Sequence, residues 1–199
     1  MKKLSITFLF LFITLVSYSQ SKEYFDYVKK TLFEGTKSKD YNKELSKYMF
    51  NYFNTYRDSL KLGKWKWNDS IYDVVKDYSK YAIDTAWKHS SGTINGEYFA
   101  FELMTADIFS IKDINNFEKF SKQCLNNFLN SCNHKGFLLS KLMTKNNEKQ
   151  KIILCNDFEV NASIGNNGAI SCVIVNRGDK ITVTCIVRIN KTKNGTYVK

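Results

Sequence analysis

The stretch from Ala169 to Ile189, AISCVIVNRGDKITVTCIVRI, decides the fold class. Two runs rich in Val, Ile and Thr flank Gly178-Asp179, and β-branched residues suit the pleated surface of a strand. A two-residue turn with Gly first is a hairpin signal. Counting outward from it pairs Arg177 with Lys180 and Cys172 with Cys185. Alternation of pair types along the ladder makes Cys172 and Cys185 a non-hydrogen-bonded pair, whose side chains stand close together. That spacing suits a cross-strand disulfide or two buried thiols, and a core of this size favours the thiols because it needs no staple.

Upstream of the hairpin the apolar period changes to that of helices. Leu45, Met49, Phe53, Tyr56 and Leu60 fall one turn apart between Asp40 and Leu62, and Gly63 ends the pattern. A second helix starts at an Asn68 or Asp69 cap and runs to about Trp87, with Ile71, Val74, Val75, Tyr78 and Ala82 on one face. The loop Ser90 to Gly96 follows, then an apolar segment from Glu97 to Phe109 that reads as a short helix. A helix capped at Asp113 carries Phe117, Phe120, Cys124 and Phe128 and stops near Asn130. Phe137, Leu138 and Leu142 predict a further helical piece after His134. Lys151 to Ile164 reads as a strand, joined to the hairpin through the turn-rich Gly165-Asn166-Asn167-Gly168. Helices first and antiparallel strands last, without alternation, predict an α+β domain.

The ends fix the expected compartment. Lys2 and Lys3 precede an uncharged apolar run from Leu4 to Val16 that closes on Ser17-Tyr18-Ser19. This is the pattern of a cleaved signal peptide, residues 1–19, because the run is shorter than the ~20 residues a membrane span needs. An exported or periplasmic protein without a span in the mature chain is the expectation. Residues 20–46 would form a helical leader, with Tyr24, Phe25, Val28 and Leu32 at helical spacing, residues 47–190 the main domain, and residues 191–199 a frayed tail. Removal of Lys2 and Lys3 lowers the formal charge from +11 to +9. The lysines are spread rather than clustered with exposed aromatics, which excludes a nucleic-acid footprint and leaves weak attraction to anionic envelope material.

Of the 199 residues only His89 and His134 are histidine. Imidazole is the side chain best suited to switching protonation near neutral pH or to binding a metal, so chemistry of that kind must use these two. They belong to an ordered series: Asn54-Thr55-Tyr56-Arg57, Trp67-Asn68-Asp69, His89-Ser90, Gly96-Glu97-Tyr98-Phe99-Ala100, and Phe128-Leu129-Asn130-Ser131-Cys132-Asn133-His134. Between about Lys47 and Ile164 that series resembles the CAP superfamily, the SCP-like domains of cysteine-rich secretory proteins, antigen 5 and plant pathogenesis-related proteins, in its bacterial form. The resemblance implies an α-β-α sandwich with helices around a small antiparallel sheet and a surface cleft lined by His89, Glu97 and His134. Ser131 stands at the fourth cleft position, where many eukaryotic members carry Glu, and Tyr98 replaces the Asn of the Gly-Glu-Asn motif. What the resemblance implies about function is a secreted binding or interaction module whose ligand is lipid, peptide or envelope polymer.

Three chemistries compete with simple binding at these residues. Two neutral imidazoles, His89 and His134, with a carboxylate could hold a divalent metal such as Zn²⁺ and leave positions open for water. Glu97 as general base beside such a metal would make the protein a metal-assisted hydrolase of extracellular peptide or envelope material. A thiol variant would pair Cys132 with His134, which needs a base placed in space and an oxyanion hole. No nucleophile elbow or phosphate-cradling Gly loop supports other enzyme classes.

Overall fold

The computed structural model describes residues 41–85, 87–90, 93–94, 97–142, 149–162 and 164–191, with backbone alone at 84, 93, 94, 97–99, 176 and 191. The expected signal peptide, the expected leader up to residue 40 and the expected tail from 192 lie outside the described residues.

The hairpin read from Ala169 to Ile189 forms as its pattern dictates. Strands β6 (Ile164–Arg177) and β7 (Lys180–Lys191) pair antiparallel with Arg177 opposite Lys180 and Cys172 opposite Cys185. The turn needs Gly178, whose φ of 86° is open to glycine at little cost. On β7, Ile181, Val183, Cys185, Val187 and Ile189 face one core cluster, while Ile186 joins a second cluster on the opposite face. Both faces are therefore covered by helices.

Helix α1 (Tyr41–Ser59) buries Leu45, Met49 and Phe53 completely at one-turn spacing, and each such side chain contributes roughly 1.5–3 kcal/mol of burial. The first residues of this helix come from the segment assigned to a leader, and Leu45 and Ser46 sit in the core. A short strand β1 (Lys66–Trp67) runs parallel to β6 and leads into α2 (Asp69–Asp84). Asn68 caps that helix by accepting from the Ile71 N–H at 2.9 Å. Helix α2 packs Ile71, Tyr72, Val75 and Ala82 on one face of the sheet, while α1 and α3 (Phe117–Asn130) cover the other. Helix α3 is tied to the sheet where Asn127 Nδ2 donates to Asp107 Oδ2 at 2.7 Å and to Thr105 Oγ1 at 3.1 Å. The protein is thus α+β, with helices on both faces of a sheet ordered β1-β6-β7-β3-β2, in which β2 is Thr93–Ile94 and β3 is Glu97–Ser110.

Four expectations change. Glu97 to Phe109 is not a helix but most of the long strand β3 (Glu97–Ser110), paired with β7 and, at its start, with the short β2 (Thr93–Ile94). Its residues Phe101 and Leu103 enter one cluster and Met104 the other, so the strand lacks clean alternation and cannot be told from a buried helix by periodicity. Lys151 to Ile164 is not one strand either. It breaks into β4 (Gln150–Ile153) and β5 (Glu159–Ala162), a separate two-stranded sheet whose turn holds Asn156 and Asp157 at φ of 53° and 58°. The Gly165 to Gly168 stretch is a register irregularity within β6 rather than a turn. Finally, α3 is capped by Asn116, which accepts from Lys119 N–H at 3.0 Å, whereas Asp113 ends a single 3-10 turn.

The cysteines resolve as one disulfide and three buried thiols. Cys132 bonds Cys155, with Cα atoms 5.2 Å apart, while Cys124, Cys172 and Cys185 are free. The disulfide joins the short helix α4 (Cys132–Leu138) to the β4-β5 turn. It also removes the thiol that the Cys132 and His134 pairing required.

Candidate functional site

The motifs upstream of the histidines act as latches. Asn54 grips the backbone of Trp65 in both directions, donating to its carbonyl at 2.9 Å and accepting from its N–H at 2.8 Å. Arg57, with no exposed surface, donates to the carbonyls of Leu62, Gly63, Leu138 and Ser140 and stacks on the Trp65 ring, 4.2 Å from its centroid. Burial pulls the guanidinium down to about 10, so it stays charged at neutral pH. By holding Leu138 and Ser140, Arg57 fixes the C-terminal end of α4 against α1. Gly136 brings the same helix close to β4, because a Cβ there would lie 2.6 Å from the Ile153 carbonyl oxygen. His134 is therefore mounted on a helix pinned at both ends, by the Cys132–Cys155 bond at its start and by Arg57 at its finish. The sequence placed the helix after His134, but it begins at Cys132 and includes it.

His89 lies on the segment after α2. Tyr78 of α2 donates its hydroxyl to the carbonyl of Lys88 and holds that segment down. The ring of His89 stands 6.1 Å from that of His134, centroid to centroid, at 56°. Phe128 meets His134 edge to face at 5.4 Å and supplies its apolar backing. The fold thus brings together the two histidines that the sequence singled out, 45 residues apart.

The carboxylate beside His89 is Glu102 rather than a residue the sequence had marked. Its Oε1 accepts from the Ser90 N–H at 2.9 Å and lies 3.2 Å from His89 Nδ1. Its Oε2 accepts from Ser90 Oγ at 3.0 Å and from Nε of Arg188, directly opposite in the β3-β7 register. The guanidinium of Arg188 is itself fully buried and stacks 4.6 Å from the Tyr78 ring centroid. Burial pushes the Glu102 carboxyl up, but His89, Arg188 and Ser90 together outweigh it and hold the carboxyl below its usual value. For Arg188 burial pulls down and Glu102 pulls back, leaving the guanidinium somewhat below normal and still charged. The His134 imidazole is lowered by burial and then by His89, which favours the neutral ring.

These contacts set what the site can do. A carboxylate at Nδ1 fixes that nitrogen of His89 as the donor and leaves Nε2 as the group available to a ligand. Ser90 is as much a site residue as His89, since both of its polar groups anchor the acid. A carboxylate at Glu102, set between Phe101 and Leu103-Met104, is the signal that the sequence offered. Gly96-Glu97 outshines it as a motif, and a helical reading of the strand hides which face it takes.

The side chain of Glu97 lies outside the described residues, and its backbone opens β3. Ser131 links α3 to α4; its carbonyl receives the Lys135 N–H at 2.7 Å, and its hydroxyl makes no hydrogen bond among the described residues. Of the donors offered to a divalent metal, the two imidazoles are placed side by side. Both Glu102 oxygens are already spent on Ser90, His89 and Arg188. Among the described residues no three His, Cys, Asp or Glu side chains form a group that could hold a metal ion. No described helix is long and apolar enough to cross a membrane.

No family model matches the chain, and no curated protein matches it either. Among solved structures it is similar to an outer surface protein of Borrelia burgdorferi, at 17% identity and a TM-score of 0.40 over 76% of this chain and 96% of that one. At that TM-score the likeness carries neither fold nor function over to this chain.

Proposed function

We propose that this is an exported binding module of CAP type, whose His89 and His134 form the wall of a surface cleft that contacts the ligand. The observation that carries the reading is the pair of imidazoles 6.1 Å apart, one tethered to Glu102 and the other backed by Phe128. Such a pair offers hydrogen bonds and ring faces in a fixed geometry, which suits recognition of a polar or amphipathic ligand. Carboxylate and guanidinium beneath it neutralise each other, so the acid is occupied in holding the site rather than poised to take a proton. The apolar run at residues 4–16 supports export, and the ordered motif series from Asn54 to His134 supports the family.

The test uses one material in two assays. Anionic envelope polymer is incubated with wild type, His89→Ala and His134→Ala, and both retention and breakdown products are measured. The binding reading expects the polymer to be retained intact and retention to fall about tenfold or more in both variants, the loss of roughly 1.4 kcal/mol. Release of product that is lost in Glu97→Gln with the fold intact would replace it with the metal-assisted hydrolase. Calorimetry with Zn²⁺ separates the two further. Heat in the wild type that disappears in either His variant would favour the hydrolase, and absence of heat would favour the module without metal.

A further inference from the structure

A second site lies on the α2 face of the sheet, at the other end of the segment that delivers His89. Beyond the end of α2, among the described residues, a pocket of about 200 Å³ opens over the sheet between Ile83, Trp87, Ala106 and Val175. Ala82, Thr85, Arg177, Thr182 and Thr184 complete its wall. The apolar members suit a compact apolar body, and the volume is well below that of drug-sized pockets.

Thr85 and Thr184 spend their hydroxyl protons on the Tyr81 and Val173 carbonyls, which leaves Arg177 and Thr182 as the lining groups with donors to spare. Arg177 Nε donates to Thr182 Oγ1 at 3.1 Å, which occupies the hydroxyl oxygen as acceptor and leaves its proton to be given elsewhere. Among the described residues Arg177 has no carboxylate partner, and no acidic side chain lines the pocket. A guanidinium fork and a hydroxyl proton over an apolar floor form the complement of a carboxylate that carries a small apolar group. The chain's positive charge, +11 overall, adds attraction for an anion.

We infer that this pocket binds a small apolar carboxylate, with its acid group on Arg177 and Thr182 and its body between Trp87, Ile83 and Val175. The site is separate from the imidazole pair and does not depend on its reading. Titration of the full chain with hydrocinnamate, followed by amide shifts at Ala106 and Thr182, tests it, with hydrocinnamyl alcohol as the uncharged control. Saturable shifts are expected, at least tenfold weaker for the alcohol and for Arg177→Gln, and abolished in Ala106→Leu, where an exposed alanine is enlarged into the pocket. Trp87→Ala, which removes an exposed wall, should weaken binding similarly. His89→Ala should leave it unchanged. Absence of saturable shifts in the wild type, equal affinity for acid and alcohol, or indifference to Arg177→Gln would overturn the inference.

Discussion

Glu102 and His134 both link stability to pH, in different windows. The folded value of Glu102 lies below its unfolded one, so its contribution is complete above the unfolded value of about 4.3 and is lost as pH falls through the folded value. The folded imidazole of His134 also titrates below its unfolded value of about 6.5, so the unfolded chain takes that proton first. Stability from His134 is therefore complete above about pH 6.5 and declines below it. Urea unfolding at pH 7.5 and 5.5 should show a loss in the wild type that shrinks in His134→Gln; an equal loss in both would remove His134 as its source. Glu102→Gln is expected to cost about 3 kcal/mol at pH 7, because the buried Arg188 guanidinium loses the carboxylate charge that Glu102 places on its Nε. An effect below about 1 kcal/mol would show that Ser90 and His89 alone, and not the ion pair, use that carboxylate.

Helix α4 is short, and seven residues cannot hold a helix by propensity alone. What holds it is tertiary: the Cys132–Cys155 bond, the Arg57 fork on Leu138 and Ser140, and the close approach at Gly136. The disulfide closes a loop of sequence separation 23, for which chain entropy gives about 3 kcal/mol. Cys132→Ser should lower unfolding free energy by about that amount, and Cys155→Ser by the same, since either removes the same bond. Reduction should also broaden the His134 ring resonances before those of His89, which is held by Glu102 and Ser90 instead. Equal behaviour of the two rings would show that the helix does not depend on the disulfide. At this same scale the sequence located α1 and α2 well, because their apolar stripes are exposed to water on the other face. It misread β3, since helices on both sides erase the alternation that identifies a strand.

At the scale of the molecule, one sheet carries both core clusters, and β7 contributes to each. Opening one face should therefore open the other. Cys124, Cys172 and Cys185 sit at 0% exposure in the larger cluster, and burial raises the Cys185 thiol well above its normal value. In native protein these three thiols should resist thiol reagents, then react together at a rate that tracks global unfolding. A single thiol reacting ahead of the others would reveal a part of the sheet that opens by itself.

Local chemistry was enough to determine the β6-β7 hairpin, down to Cys172 opposite Cys185, and to place the stripes of α1 and α2 and the cap of α2. It also brought His89 and His134 forward as the candidate imidazoles, simply because the sequence holds no other histidine. Tertiary structure decided everything that depends on strands meeting: that Glu102 faces Arg188, that this pair anchors His89, and that Cys132 bonds Cys155. The physical reason is that turn geometry and helical period act within a few residues. An ion pair between β3 and β7, or a disulfide between a helix and a hairpin, depends on a register that only packing sets.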